Sequence, residues 1–263
     1  MDSPIDFQQE RNIALIRFNR PEAFNAFDLP MIRTLAEKLT ELACDPEVRG
    51  VVITGQGKVF CAGGDLKWIV GYDADRPGAA FHELAARYHQ AILEIRRMPK
   101  PVVAAINGLA AGGGFSLALA CDFRMMEDSA MLRQAYTSNG LSIDGGGTFT
   151  LPRLVGLARA LEIAAFDPQI DAATALEWGL VTEVVKAGGT LERALDLTVE
   201  IGQRSLDSFA ASKRLLTDSF DSGLESHLEK EREFLSWCAD RPNGREGIAA
   251  FLEKRKPRFD GIG

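Results

Sequence analysis

Two glycine clusters and one aspartate are the residues of this chain best placed to do chemistry. Gly112, Gly113 and Gly114 follow the apolar, β-branched run Val102–Ile106, which reads as a buried strand, and precede residues 115–121, which hold no breaker and read as helix. The first N–H groups of a helix have no internal partner and carry the positive end of its dipole, so an oxyanion is favoured there. Gly63 and Gly64 repeat the arrangement after the strand-like residues 50–54, within Phe60-Cys61-Ala62-Gly63-Gly64-Asp65-Leu66. Two such donors converging would hold the enolate or tetrahedral oxyanion of a carbonyl substrate and lower its barrier by several kcal/mol. Taken singly, each cluster is more often a tight turn or a close packing contact.

The aspartate is Asp144, in Gly140-Leu141-Ser142-Ile143-Asp144-Gly145-Gly146-Gly147. On the residues alone, an Asp ahead of three glycines is a turn former or the N-cap of a helix begun by residues 148–154, with acid/base chemistry the rarer reading. Its apolar neighbours Leu141, Ile143 and Phe149 predict a raised carboxyl pKa and a better proton acceptor. Nucleotide motifs fit poorly. Gly55-Gln56-Gly57-Lys58 is followed by Val59 rather than Ser or Thr, and no G-x-G-x-x-G follows a strand. His82 and His89 share a helix face but stand about 10 Å apart along it, too far for one metal ion, so a surface or pocket-lining role is expected and no metal site.

The elements that must position these residues alternate. Strands are predicted near 13–18, 51–54, 102–106 and 123–126, and helices over 29–43, 81–97 and 115–120, which argues an α/β architecture with parallel pairing. After Val185 the pattern turns helical, with amphipathic stretches at 191–204, 208–220 and 224–237. Residues 71–80, GYDADRPGAA, read as a mobile loop. The uncharged stretch 101–121 is too rich in Gly, Ala and Asn for a membrane span. With 263 residues, 46% of them hydrophobic, the chain can bury a sizeable core, and a net charge of −7 argues against nucleic acid. Cys44, Cys61, Cys121 and Cys238 show no C-x-x-C spacing, and residues 1–9 carry two aspartates and no apolar stretch. Reduced thiols in a cytoplasmic chain without a secretory leader are therefore expected.

The order of motifs resembles the crotonase, or enoyl-CoA hydratase/isomerase, superfamily over nearly the whole chain. The matching segments are Asn19-Arg20-Pro21-Glu22-Ala23-Phe24-Asn25-Ala26, the Phe60 to Leu66 motif, Lys100-Pro101 through the glycine triplet to Cys121-Asp122, and Leu151-Pro152-Arg153-Leu154-Val155-Gly156. Ala175-Leu176-Glu177-Trp178-Gly179-Leu180-Val181 and the run from Arg245 to Arg255 complete it. The resemblance implies a spiral of repeated ββα units over residues 1–190, then a helical trimerisation region over 191–263 that forms trimers, often paired into hexamers. It implies an acyl-CoA thioester whose carbonyl oxygen is held by the N–H groups of Gly64 and Gly113. Coenzyme A enters as part of the substrate, and no separate cofactor is expected. Ala62 would lie beside the adenine. Lys254 would reach CoA in a neighbouring subunit, although a solvated helix face accounts equally well for that charge. Ala23, Asp65, Leu66, Ser116 and Tyr136 fall at other substrate- or CoA-contacting positions, with Asn25 and Asp65 better suited to holding turns than to chemistry.

Hydratases of this family carry two glutamates that add water across the double bond, and here those positions are Ser116 and Tyr136. Neither hydroxyl is a ready base near neutral pH. Asp144 instead matches the acid/base aspartate of dienoyl-CoA isomerases and ring-epoxide isomerases, and the attacking carboxylate of chlorobenzoyl-CoA dehalogenases. Residues 142–153 look most like the ring-epoxide group. The favoured expectation is an acyl-CoA isomerase with an Asp144 proton shuttle. A hydratase, hydrolase or dehalogenase and a non-catalytic acyl-CoA binder are the alternatives.

Overall fold

The computed structural model describes residues 3–73 and 75–259. Strands β1 (Ile5–Glu10) and β2 (Ile13–Phe18) pair antiparallel across Arg11 and Asn12, both in left-handed backbone. Helix α1 (Leu29–Cys44) begins where the Asp28 carboxylate accepts the N–H of Met31 at 3.0 Å, and it buries Ile32, Leu35, Leu39 and Leu42 on one face. Three strand–strand–helix units follow. The first is β3 (Gly50–Gly55), β4 (Val59–Cys61) and α2 (Leu66–Tyr72), joined by α3 (Pro77–Arg97) to the second, β5 (Val102–Ile106), β6 (Leu109–Ala111) and α4 (Gly113–Ala120). The third is β7 (Phe123–Glu127), β8 (Met131–Arg133) and α5 (Gly147–Phe166), which bends at Gly156. Strand β9 (Ile170–Asp171), helix α6 (Ala172–Glu177) and strand β10 (Glu183–Val185) lead to helices α7 (Thr190–Gly202), α8 (Leu206–Asp218), α9 (Leu224–Asp240) and α10 (Pro242–Leu252).

Each unit sends its first strand to one sheet and its second to another. The orders are β1-β2-β3-β5-β7-β10 and β4-β6-β8-β9. Because β4, β6 and β8 are parallel neighbours, the segments that leave their C-terminal ends emerge side by side. That adjacency brings three turns distant in sequence to one place. The main core lies between the sheets and helices α1, α3 and α4, while α7 covers the opposite face of the six-stranded sheet against Leu15, Val52, Val103 and Met125. Helix α8 is tied to the core by a buried ion pair, Lys213 Nζ to Asp122 Oδ2 at 2.8 Å.

The predicted long elements stand within a few residues of their expected ends. The expected loop at 71–80 is shorter: Gly71 and Tyr72 close α2, and α3 starts at Pro77, whose fixed φ suits a first helical turn. Ala74 of that stretch lies outside the described residues. Strands β4, β6, β8 and β9 are two or three residues long, too short for periodicity to register. Among the described residues, no helix is long and apolar enough to cross a membrane.

Candidate active site

The two glycine turns touch. A Cβ added to Gly63 would approach the nitrogen of Gly113 to 2.7 Å, so the backbones pass closer than any side chain permits. Gly112 caps α4 in a backbone conformation (φ 53°, ψ −126°) that favours glycine, and Gly113 is the first helical residue. The bridge between Phe27 and Gly64 uses the carbonyl of Gly63 and the N–H of Asp65, leaving the Gly64 N–H out of the ladder. Among the described residues neither the Gly64 nor the Gly113 N–H has an acceptor. Gly113 is buried and Gly64 half-buried, so a bound oxygen there would be shielded from water.

Helix α3 joins this corner to the Asp144 loop. Tyr88, fully buried, donates its hydroxyl to the Gly113 carbonyl at 2.5 Å and packs its ring against Phe27, centroids 4.8 Å apart. The same ring sits against Gly145, where a Cβ would collide with it and where φ is +62°. Burial pushes the Tyr88 hydroxyl well above its ordinary pKa, so it remains a donor. The adjacent His89 places Nε2 2.5 Å from Asp144 Oδ1.

Asp144 is therefore neither an N-cap nor a carboxylate enclosed by apolar side chains. Helix α5 begins after Gly146 with no side-chain cap, and Asp144 contributes to that turn only a backbone carbonyl that accepts the Gly147 N–H. Its carboxylate is about one-third exposed and meets an imidazole. Phe149, expected as an apolar neighbour, points instead toward Arg153, whose guanidinium carbon lies 3.5 Å from the ring centroid.

Ser116 and Tyr136 complete the corner. Ser116 is buried against Gly147, and its Oγ has no partner within hydrogen-bond geometry. Tyr136 lies close to Ser116 and to the Asp144 loop, and burial raises its phenol pKa. A cavity of about 800 Å³ opens beside the loop, bordered by Ile92, Gly146, Phe149, Phe234 and Trp237.

The sequence matches the enoyl-CoA hydratase/isomerase family over residues 8–262. The chain belongs to that family. It is 33% identical to the 1,2-epoxyphenylacetyl-CoA isomerase of Escherichia coli (strain K12) over 253 residues, 96% of each chain. It is 32% identical to 4-chlorobenzoyl coenzyme A dehalogenase-2 of an Arthrobacter species, over 96% of this chain and 92% of that one. An enoyl-CoA hydratase from Polaromonas sp. JS666 superposes with a TM-score of 0.91 at 37% identity, covering 97% of this chain and 98% of the other. The fold is thus the crotonase fold, and the ββα units are its turns.

Within that fold the structure brings Gly64, Gly113, Ser116, Tyr136 and Asp144 together. Asp65 lies at the edge with its carboxylate engaged: it accepts the N–H groups of Lys67 and Trp68 and pairs with Arg20 at 2.9 Å. Asn25 holds its turn as expected, accepting the Arg20 N–H and donating to Gln56 and Val59 carbonyls. Ala23 ends a short 3₁₀ turn, and the Ala62 N–H donates to the Phe24 carbonyl. Leu66 is exposed at the start of α2. Lys254 lies past α10, exposed, and among the described residues no contact joins it to the site. Sequence reasoning missed Tyr88, and it gave His89 a surface or pocket-lining role without its partner Asp144. Its only signal was a buried stripe of Leu84, Tyr88, Ala91, Ile92 and Ile95 with a histidine at its border. Among the described residues no cluster of three or more His, Cys, Asp or Glu could hold a metal.

Proposed function

We propose that this chain isomerises an acyl-CoA thioester by proton transfer through Asp144. The observation that carries the reading is the pair of unpartnered N–H groups at Gly64 and Gly113, tied through Tyr88 and His89 to a single carboxylate. With the thioester oxygen between the two N–H groups, charge that develops on deprotonation is stabilised by dipoles already in place. Asp144 takes a proton from the α or γ carbon, and the electron pair moves to the carbonyl oxygen. The enolate then collapses as Asp144 returns the proton to a different carbon, moving the double bond with no net gain of atoms. His89 holds the carboxylate in one orientation through the cycle. The acyl group extends toward the cavity bordered by Ile92 and Phe149. Ala23, Ala62 and Leu66 line the CoA side, Lys254 acts on CoA across a subunit boundary, and the working unit is a trimer.

The His89–Asp144 contact also supports a second reading. A carboxylate beside an imidazole can displace a leaving group from an activated ring, forming an ester that water, deprotonated by His89, hydrolyses at the Asp144 carboxyl carbon. The ring product then carries the hydroxyl and Asp144 is regenerated.

Incubation with linear and cyclic enoyl-CoA thioesters in D₂O tests the first reading. Deuterium uptake with a shifted double bond, lost in Asp144→Asn while CoA binding is retained, is the expected result. Release of halide from a haloaroyl-CoA, with ¹⁸O from solvent entering Asp144 in a single turnover, would select the second reading. Water addition that survives Asp144→Asn would exclude both.

A further inference from the structure

The Gly64 turn has no side chain of its own to fix it, and Gly63 before it sits at φ +92°. Its position is set from the neighbouring strand through Phe27, whose N–H donates to the Gly63 carbonyl and whose carbonyl accepts the Asp65 N–H. The Phe27 ring also rests on Gly113, where an added Cβ would collide with it, so this one residue touches both halves of the proposed oxyanion hole. Arg20 grips the chain around Phe27 from both sides. Its Nη1 donates to the Ala26 carbonyl at 2.7 Å and pairs with Asp28 Oδ2 at 3.3 Å, while Nη2 donates to Asp65 Oδ2 at 2.9 Å. Those acceptors stand immediately before Phe27, immediately after it and immediately after Gly64. Each carboxylate also caps a helix through its other oxygen: Asp28 accepts the Met31 N–H, and Asp65 accepts the N–H groups of Lys67 and Trp68. The two carboxylates are only 20% and 13% exposed, so water and salt screen these contacts little. The Arg20 backbone is held in turn, its N–H donating to the Asn25 side chain and its carbonyl accepting the N–H groups of Ala23 and Asn25.

We propose that Arg20 is a positioning residue for the reaction: its planar guanidinium locks the bridge between Phe27 and Gly64 and so aims the Gly64 N–H at the thioester oxygen. The proposal rests on the acyl-CoA reading of the site. Arg20 acts through Phe27 and Asp65 and not on the substrate, and its charge is met inside the protein by two carboxylates. A guanidinium presents its donors in one rigid plane, whereas a lysine offers a single ammonium that cannot span Ala26, Asp28 and Asp65 in the same way. A donor slightly out of place stabilises developing charge less, so loss of the clamp weakens the hole without removing either N–H.

Isotope-edited infrared spectra of butyryl-CoA, labelled with ¹³C at the thioester carbonyl and bound to the full-length protein, provide the test, because hydrogen bonds to that oxygen lower its stretching frequency. The wild-type protein is expected to lower the frequency relative to the free thioester. Arg20→Gln and Arg20→Lys should each lose about half or more of that shift, since a hydrogen bond weakens steeply as its geometry degrades. Asp65→Asn keeps an acceptor for the α2 cap and should lose the shift in part; it gives the answer where an Arg20 variant does not fold. Leu15→Ala is the control for stability alone, because Leu15 lies under α7 on the far face of the six-stranded sheet. Its melting temperature should fall while the full shift remains. A full shift in folded Arg20→Gln, or in Asp65→Asn if the Arg20 variants do not fold, would overturn the proposal and leave the acyl-CoA reading standing, as would an equal loss in Leu15→Ala. A wild-type protein that leaves the frequency unchanged, or does not bind the thioester, would overturn both.

Discussion

At the scale of single residues, the site depends on positions where a side chain is excluded. Gly145 adjoins the proposed acid/base carboxylate with φ +62°, and its Cα rests on the Tyr88 ring, which is itself anchored to the Gly113 carbonyl. Neither the ring nor the loop can yield without disturbing the other. Gly145→Ala is expected to cost about 1–2 kcal/mol for the left-handed backbone and about 1–3 kcal/mol more for overpacking. Gly140→Ala is the control, since φ is +69° there but nothing lies within 4 Å. Thermal melts should show the first variant losing clearly more stability than the second. Turnover should fall further in Gly145→Ala than stability alone accounts for, because Asp144 moves with the loop.

Among the elements, helix α3 does more than fill a layer. Tyr88 and His89 are successive residues, yet one reaches the start of α4 and the other the loop before α5. The C-terminal segment is held by a different device. Glu246 on α10 accepts from the Arg255 guanidinium and from the Arg258 N–H, folding the chain after the helix back on itself. The Arg255 hydrogen bonds, with the Arg258 N–H second, bring the Glu246 carboxyl from 4.5 down to about 2. A carboxyl with a depressed folded pKa stabilises above its unfolded value and loses that contribution as pH falls through the folded one. The clasp is therefore expected to be intact above about pH 4.5 and to loosen toward pH 2. Amide exchange of residues 253–258 measured across that range should show protection falling with acid. In Glu246→Gln protection should be lower from the outset and independent of pH over this range. Because the pair is exposed, the effect should be local.

For the whole molecule, the distribution of apolar surface matters most. Leu157, Leu161 and Phe166 on α5 and Leu216, Leu224, Leu228, Leu235 and Phe251 on the last three helices and their connections are each more than half exposed. So much exposed apolar surface favours association with further copies. Light scattering after gel filtration is expected to give three or six times the 28.7 kDa chain mass. A monomeric mass would contradict this and would leave Lys254 without a neighbouring site to serve.

The sequence by itself determined the elements that make their own case locally. A β-branched apolar run ended by glycines, as at Val102–Ile106 before Gly112, reads as strand and helix start from backbone sterics and hydrogen-bond needs alone. The four C-terminal helices likewise carry their stripes or their family motif in the chain. What only the tertiary structure decided is which groups meet. Asp144 and His89 are 55 residues apart, and Tyr88 and Gly113 are 25 apart. No local pattern encodes either contact, because both follow from β4, β6 and β8 lying side by side in the second sheet while α3 sets Leu84 beside Gly64 and Tyr88 beside Gly113 and Gly145. The expected apolar shell around Asp144 failed for the same reason. Phe149 already belongs to α5 and meets Arg153 one helical turn on, so an imidazole from another helix took the place beside the carboxylate of the preceding loop.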